Sequence, residues 1–326
     1  MTRLETADLR RIATPALVLA AATFLLVTSL VSTKFASFTV QGVAQGMVYG
    51  SLGLALVLIY RATHVINFAQ GELAMLTTFI AWQLNQWGLS YWEMFFATLA
   101  IAFVLGTALQ VAVIRPVQHR SVIATVIVTV GLFILIDGIV SWVWVDEFRA
   151  LPTPFGTGTW DVGGVLIQHY YAGMVAVILA SLAAVWGLFR FTKLGLAMRA
   201  AALRPAAASL AGVRVDAMLA IGWGLAAVLG AVAGLMQEPP NYNILEPTFM
   251  QATLVYAFAA AALGGLESPA GALVGGLGIG IFQTLLVGYV PAIGSQLQLP
   301  FVFVVLLGIL LIKPSGLFGR REVQRV

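Results

Sequence analysis

The stretch THVINFAQGEL carries the densest group of polar side chains in this otherwise apolar chain. His64, Asn67, Gln70 and Glu72 fall within nine residues, and apolar runs lie on both sides. Amides and a carboxylate offer hydrogen bonds and a negative charge, the groups that bind a passing polar solute. We predict that Asn67, Gln70 and Glu72 line a solute path or its inner gate, and that Gly71 relaxes the backbone at a break between two helices.

A second interpretation of these residues stays open. Asn67 and Glu72 would then only cap the next helix near the inner surface, where the helix dipole favours a negative charge.

Asp137, in LFILIDGIVSW, is a further carboxylate deep inside an apolar run. Burying its charge in hydrocarbon costs at least about 2.5 kcal/mol, so it is expected to face protein or water. A hydrogen bond to a neighbouring helix and a place on the solute path are both open for it.

Several kinds of reactive centre are missing from the sequence. The chain has no cysteine, its three histidines never stand four residues apart, and no G-x-x-x-x-G-K-[ST] phosphate loop occurs. These patterns exclude thiolate chemistry, the zinc-hydrolase signature and P-loop ATP hydrolysis. We therefore expect no catalytic residue, no metal site, no cofactor and no enzymatic activity of the chain's own.

The composition indicates an all-α polytopic membrane protein. Of 326 residues 60% are hydrophobic and 9% are charged, against about 25% charged in a typical soluble domain. A helix needs about 20 apolar residues to cross the hydrocarbon core. About ten transmembrane helices are predicted, with re-entrant or broken segments left open: 14–32, 40–60, 70–88, 93–114, 121–145, 170–189, 217–237, 248–266, 270–290 and 297–313.

Basic residues set the predicted orientation. Placing both termini in the cytoplasm puts 15 of the 17 lysines and arginines inside, as the positive-inside rule requires. The net charge of +4 is thus explained without a nucleic-acid partner. We predict a cytoplasmic tail at 1–13, a transmembrane domain at 14–313 and a second cytoplasmic tail at 314–326. The first span is expected to be a retained helix, with a signal peptide as the alternative.

The two longest connections differ in composition. The inner connection, 193–215, is rich in alanine and therefore predicts helix, and Pro205 suits the first turn of a second short helix. A helical cytoplasmic loop suggests a docking surface. The outer connection, Asp146 to Gln168, contains LPTPFGTGTW and predicts turns and irregular chain.

Glycines at four-residue spacing predict close helix packing. Gly271 and Gly275 form one such pair in SPAGALVGGLGIGIF, and Gly276 and Gly280 form another. Small residues at this spacing let helices approach closely in lipid. A static seam and the mobile seam of a transporter would have the same pattern.

Three blocks together resemble the LivH-type permease family of branched-chain amino-acid ABC importers. They are GMVYGSLGLALVLIYRATHVINFAQGEL at 46–73, LGLAMRAAALRPAAASLAGVRV at 194–215 and ALGGLESPAGALVGGLGIGIFQTLL at 262–286. Each block alone is a weak signal. In this order, at compatible spacing and across nearly the whole chain, they form a fairly specific one.

The resemblance implies a subunit of a larger assembly in the bacterial cytoplasmic (inner) membrane. Such importers pair two permeases, identical or related, with cytoplasmic ATP-binding subunits and an extracytoplasmic solute-binding protein. The inner loop is then expected to dock into a groove of the ATPase, with Leu203, Leu210 and Val213 as apolar contacts. Arg199 and Arg214 would set its register or meet acidic residues, unless they only enforce topology.

Four departures from the family pattern affect the expected substrate. Gln70 stands where the family commonly has histidine, Glu267 interrupts a Gly-Ser spacing, Arg204 and Pro205 replace a frequent acidic residue, and Gln283 replaces a common glutamate. Branched-chain amino acids are the expected cargo, and urea, short amides or other small solutes are the alternatives. The expected architecture is unaffected.

Two other functional classes stay open at this point. One is a self-sufficient secondary transporter or channel for a small solute, and the other is a purely structural membrane subunit. A secondary carrier usually needs ion-coupling residues near the bilayer midplane. Asp137 is a carboxylate deep inside a predicted span, so the secondary transporter stays an alternative.

Overall fold

The structure, a computed structural model, describes residues 23, 25, 28, 32–118, 120–144, 151–237, 245–290, 297–313 and 316–319. A β-hairpin at 159–168 divides the helices into two groups. Those before the hairpin are α1 Thr33–Thr63, α2 Gln70–Gln86, α3 Tyr91–Gln118, which includes a π-helical turn at Gln110–Ile114, and α4 Val122–Val143. Those after it are α5 His169–Phe191, α6 Lys193–Leu203, α7 Pro205–Leu210, α8 Val215–Gln237, α9 Phe249–Gly264, α10 Pro269–Tyr289 and α11 Gln298–Ile312.

The architecture is that of an all-α membrane protein. Within the described residues, six helices are long and apolar enough to cross a bilayer: α1, α3, α4, α5, α8 and α10. Helices α2, α9 and α11 are shorter, with 17, 16 and 15 residues. Each predicted span from 40–60 onward contains a helix, and the predicted span 14–32 lies outside the described residues except at positions 23, 25, 28 and 32. The number of ten transmembrane helices stays a prediction.

Local side-chain caps fix where several helices begin. The hydroxyl oxygens of Ser121, Thr192 and Ser268 each accept a hydrogen bond, at 3.0 Å, from the backbone N–H three residues later. At the start of α3, Glu93 accepts hydrogen bonds from the N–H and the hydroxyl of Ser90, at 2.9 and 2.7 Å. These caps satisfy backbone donors that the first helical turn leaves unpaired, so the helix starts are encoded locally.

Helices α1 and α8 form the centre of the bundle. Both are buried over most of their length, whereas most residues of α3, α4 and α5 are exposed or half-buried. The exposed side chains of these outer helices are apolar; on α4, Ile123 and Ile134 are 71% and 64% exposed. An apolar outer surface is what lipid contact requires, so these helices form the periphery of a membrane domain.

Two faces of α10 pack closely on two different helices. Gly276 and Gly280 lie against Gly42, Gly46 and Gly50 of α1, which themselves follow one another at four-residue intervals. A Cβ atom on Gly280 would lie 2.5 Å from the carbonyl oxygen of Gly42. Real Cβ atoms do not approach that closely, so the two backbones touch only because both sides lack side chains.

The other glycine pair of α10 faces α9. A Cβ atom on Gly275 would meet the backbone at Ala260 and Gly264, and one on Gly271 would meet Gly264. The predicted four-residue spacing thus marks two separate seams, and the α1 glycines that complete one of them were not singled out from the sequence.

The outer connection contains a β-hairpin, which corrects the prediction of irregular chain there. Strand β1 (Thr159–Val162) pairs antiparallel with strand β2 (Val165–Gln168). The turn consists of Gly163 and Gly164, whose φ angles are 63° and 85°. Two consecutive residues with positive φ form the two-residue turn that matches strand twist, and glycine adopts it without steric cost.

The inner connection consists of two helices, as its composition predicted. Helix α6 ends at Leu203, and α7 begins at Pro205, which occupies the first helical turn. Proline fits there because that position has no intrahelical partner for an N–H.

Candidate functional site

The polar stretch lies in a break between α1 and α2. Helix α1 ends at Thr63, and His64 adopts a left-handed conformation with φ of 54°, so that its N–H caps the Tyr60 carbonyl at 2.7 Å. Among the described non-glycine residues, only His64 has a positive φ. This conformation ends the helix and turns the chain back toward the bundle. Residues 65–67 have no regular structure, and α2 begins at Gln70.

The break reaches the middle of the membrane domain. The Gln70 side chain donates from Nε2 to the carbonyl oxygen of Ala226 at 2.9 Å, and Ala226 is the central residue of α8. On the facing helix, Ser51 of α1 lies level with Leu229 of α8. Thr63 is 12 residues beyond Ser51, about 18 Å along the helix axis. The six residues before Gln70 can span at most about 20 Å, enough to bring the chain back to mid-depth.

Asn67 and Gln70 form a closed hydrogen-bond network at this depth. Both side chains are fully buried. Asn67 donates from Nδ2 to Gln70 Oε1 at 3.1 Å and accepts from the Ala69 N–H at 3.1 Å. Together with the bond from Gln70 to Ala226, this network fixes the non-helical chain against α8. Backbone outside regular structure is tolerated at membrane depth only when its polar groups are satisfied in this way.

Gly71 is a close-packing position. A Cβ atom there would lie 2.9 Å from the Leu254 Cβ of α9. The missing side chain therefore lets the first turn of α2 approach α9, which is a packing reason for the glycine in addition to the predicted backbone freedom.

Glu72 is the polar side chain of the stretch that the network leaves out. It is 1% exposed, and neither carboxylate oxygen has a hydrogen-bond partner of normal geometry. The side chain lies toward Gln251 of α9 and within reach of the charge of Asp137. A buried carboxylate without partners is costly, because it loses hydration and gains nothing in return. Carboxylates buried this deeply in an apolar bundle are rare, so Glu72 stays a candidate for the predicted solute path.

Asp137 of α4 is half-buried, and its Oδ1 atom is buried without a hydrogen-bond partner. It therefore faces protein rather than open lipid, as the cost of burying a charge requires. Helix α4 packs beside α2. Two carboxylates, Glu72 and Asp137, thus lie on neighbouring helices near mid-depth, an arrangement that sequence separation alone did not reveal.

The interpretation of Asn67 and Glu72 as caps of the next helix fits the geometry only in part. The N-cap residue of α2 is Ala69, and no side chain caps that helix end. Asn67 does satisfy the Ala69 N–H, but from inside the bundle. Glu72 stands in the first turn, where the helix dipole favours its charge, yet its oxygens make no cap hydrogen bond.

The predicted coupling residues fall into two groups. Leu203 and Leu210 are 72% and 91% exposed on α6 and α7, and Arg199 and Arg214 are also exposed. Val213 is instead half-buried and lines a cleft beside α8. Large apolar side chains this exposed on short helices have no partner within the chain's own described fold, which is typical of a surface that another protein covers.

A further chain of side-chain hydrogen bonds joins three helices. The Tyr49 hydroxyl of α1 donates to Gln283 Oε1 of α10 at 2.7 Å, and Gln283 Nε2 donates to Gln298 Oε1 of α11 at 2.9 Å. A glutamine serves here because it accepts and donates at once, which an ionised glutamate does not do. The sequence marked Gln283 only as a departure from the family pattern.

Comparison with known proteins gives one consistent result. Residues 38–313 match the family described as "branched-chain amino acid transport system / permease component". The LivH high-affinity branched-chain amino acid transport system permease protein of Escherichia coli K12 is 29% identical over 300 residues, 88% of this chain and 96% of that protein.

Two further relatives extend the comparison. The BraD permease protein of Pseudomonas aeruginosa is 26% identical over 303 residues, covering 88% of this chain and 96% of its own. The probable LivH permease protein of Methanocaldococcus jannaschii is 27% identical over 281 residues, 82% of this chain and 87% of its own. No solved structure matches the chain.

Proposed function

The chain belongs to the family of branched-chain amino acid transport system permeases, and we propose that it passes a small polar solute through the membrane as one subunit of an ABC importer. A branched-chain amino acid is the proposed cargo, because the named relatives are permeases for that class. The solute would arrive from an extracytoplasmic binding protein, and separate cytoplasmic ATP-binding subunits would power the movement. A second permease, identical or related, would complete the pathway.

The observation that carries this proposal is the buried Glu72 carboxylate beside the mid-membrane break. Asn67 and Gln70 hold the broken chain against α8, and Gly71 allows the approach of α9. We assign Glu72, with Asp137 nearby, to the solute path, where a carboxylate accepts hydrogen bonds from a polar or ammonium-bearing solute. These contacts must let the solute leave again, since a permease fed by a binding protein releases its cargo.

Reconstitution tests this function directly. The chain is combined in liposomes with its second permease and ATP-binding subunits, and leucine uptake is measured with the binding protein present. ATP-dependent uptake, with ATPase activity stimulated by the leucine-loaded binding protein, is the expected result. Uptake by this chain alone, driven by an ion gradient, would instead show a secondary carrier.

The exposed apolar surface of α6 and α7 is proposed to couple this chain to the ATPase. Leu203 and Leu210 would enter a groove of the ATP-binding subunit, with Arg214 at the rim, whereas Arg199 lines a cavity beside α6. Because Leu210 is 91% exposed, replacing it costs the chain's own fold almost nothing. Leu210→Asp is therefore expected to reduce solute-stimulated ATP hydrolysis at least about tenfold, the effect of losing a central apolar contact, while the membrane domain stays folded.

A matched variant separates coupling from general damage. Leu166→Asp, on the outer hairpin, places the same charge at a leucine that is 60% exposed, far from α7 along the chain. It is expected to leave stimulated ATP hydrolysis unchanged. Equal activity of the two variants and the unmodified complex would remove α7 from the coupling surface.

The proposed location is the bacterial inner membrane, with both termini in the cytoplasm. The native chain has no cysteine, so single cysteines report accessibility without background. Ser209 on α7 and Thr157 before the hairpin are both exposed. An impermeant maleimide is expected to label Ser209→Cys only from the cytoplasmic side and Thr157→Cys only from outside. The reverse labelling would invert the orientation.

A further inference from the structure

An apolar cavity of 440 Å³ lies beside the helix α6 that opens the coupling loop. Side chains from α1, α5, α6, α8 and the start of α10 surround it; they include Leu54, Leu58, Met198, Met218 and Leu273. The volume falls in the range of small-molecule sites, about 300–1,000 Å³. Apart from Arg61, Arg199 and Ser268 its lining is apolar, so its interior suits a hydrocarbon chain rather than a hydrated solute.

The cavity opens sideways, toward the lipid-facing surface of the bundle. Helix α5 buries a stripe of residues against the bundle, and this stripe ends at Leu182. The next residues of the stripe, Val185 and Phe189, are only half-buried, and they line the cavity. Trp186 lines the cavity and is also 61% exposed on the outer surface. The Trp186 side chain therefore belongs both to the cavity wall and to the outer surface of the bundle, so the cavity opens beside it.

Two arginines stand in the wall of this cavity. Arg61 of α1 and Arg199 of α6 are among its lining residues, and the lining contains no acidic side chain. Within the described part of the chain, neither arginine forms an ion pair. Arg199 makes only a long hydrogen bond, 3.4 Å, to the Gly195 carbonyl. Glu267 lines an adjoining cavity with Arg61, but no ion pair joins them.

We propose that this cavity binds one acyl chain of an acidic phospholipid from the cytoplasmic leaflet, with the lipid phosphate held by Arg61 and Arg199. Both arginines fall on the cytoplasmic side in the proposed orientation, where anionic headgroups lie. An arginine pair without carboxylate partners complements a phosphate, and guanidinium groups bind phosphate in a bidentate manner. The lateral opening gives the acyl chain a route that a water-borne solute does not need.

Gly222 of α8 offers a way to fill the cavity. It is part of the lining, and a Cβ atom there would meet only the flexible end of Met198, at 3.7 Å. Gly222→Leu therefore places an aliphatic side chain into the acyl site without a backbone clash. Gly187 of α5 is a matched control, because a Cβ atom there meets nothing within 4 Å and the residue is outside the lining.

Native mass spectrometry of the purified full chain in mild detergent tests the proposal. Dioleoyl phosphatidylglycerol and dioleoyl phosphatidylcholine are titrated separately, so that the acyl chains are the same and only the headgroup charge differs. The unmodified chain is expected to retain one phosphatidylglycerol at least tenfold more tightly than phosphatidylcholine. Gly222→Leu is expected to weaken that binding at least tenfold, and Gly187→Leu to leave it unchanged.

A second variant tests the headgroup contact separately. Replacing both arginines, Arg61→Gln with Arg199→Gln, is expected to lower phosphatidylglycerol binding to the level of phosphatidylcholine while the acyl site stays open. If Gly222→Leu does not fold, this double variant decides alone. Phosphatidylglycerol binding that neither variant changes would overturn the proposal. Retention of free leucine, blocked by Gly222→Leu, in place of lipid would also overturn it and make the cavity a cargo site.

Discussion

Replacing Gly280 by leucine is expected to destabilise the membrane domain strongly. Gly280 and Gly276 touch the backbone of α1, and a Cβ atom on Gly280 would lie 2.5 Å from the Gly42 carbonyl oxygen. Backbone cannot move aside as a flexible side chain does, so α1 and α10 must separate. Overpacking a core costs roughly 1–3 kcal/mol and occasionally more, and a backbone clash belongs at the upper end. That is a large share of a typical stability of about 5–15 kcal/mol.

Gly278 provides the control on the same helix. It is exposed, and a Cβ atom there would meet nothing within 4 Å. Gly278→Leu brings the same gain in helix propensity as Gly280→Leu, so the two variants differ only in packing. Thermal unfolding of the detergent-solubilised protein, followed by size-exclusion chromatography, is expected to show a strongly lowered midpoint or no folded protein for Gly280→Leu only. Equal midpoints would mean that the seam between α1 and α10 contributes little to stability.

Replacing Glu72 by glutamine is expected to reduce transport at least about tenfold while leaving the protein at least as stable as before. The side chain is 1% exposed and its oxygens lack hydrogen-bond partners, so removing the charge removes a desolvation cost. Glutamine keeps the size of the side chain but not the negative charge that would meet a solute. Radiolabelled leucine uptake in reconstituted liposomes and the thermal midpoint give the two readouts.

The capping alternative makes the opposite prediction for the same variant. A carboxylate that only stabilises a helix N-terminus contributes about 0.3–1 kcal/mol, so its loss would lower the midpoint and leave transport intact. Glu93→Gln is the reference for that behaviour, because Glu93 accepts two hydrogen bonds from Ser90 at the start of α3. Glu72→Gln that behaves like Glu93→Gln would remove Glu72 from the solute path.

The carboxylate of Asp137 also bears on the role of Glu72. It lies close enough to Glu72 for the two carboxylates to interact, although 65 residues separate them in sequence. The sequence identified both as unusual because carboxylates are rare in apolar runs. It held no information on their proximity, which results from the packing of α4 beside α2.

Chain composition by itself determined the class of protein and the places where helices form. An excess of apolar residues, runs of about 20 residues and caps such as Ser268 are local properties, and they act within one or two helical turns. The two helices of the inner connection followed in the same way from alanine and Pro205. The polar stretch was also recognisable, because polar groups between apolar runs require a reason.

Only the tertiary structure decided which surfaces meet. Lipid tails are as apolar as leucine, so hydrophobicity does not distinguish a helix face that contacts lipid from one that contacts protein. For that reason the sequence did not show that Gly276 and Gly280 face α1 while Gly271 and Gly275 face α9. Nor did it show that Gln70 donates to the Ala226 carbonyl or that Glu72 lies toward Gln251 and Asp137, because side-chain pairing across helices depends on how the helices pack.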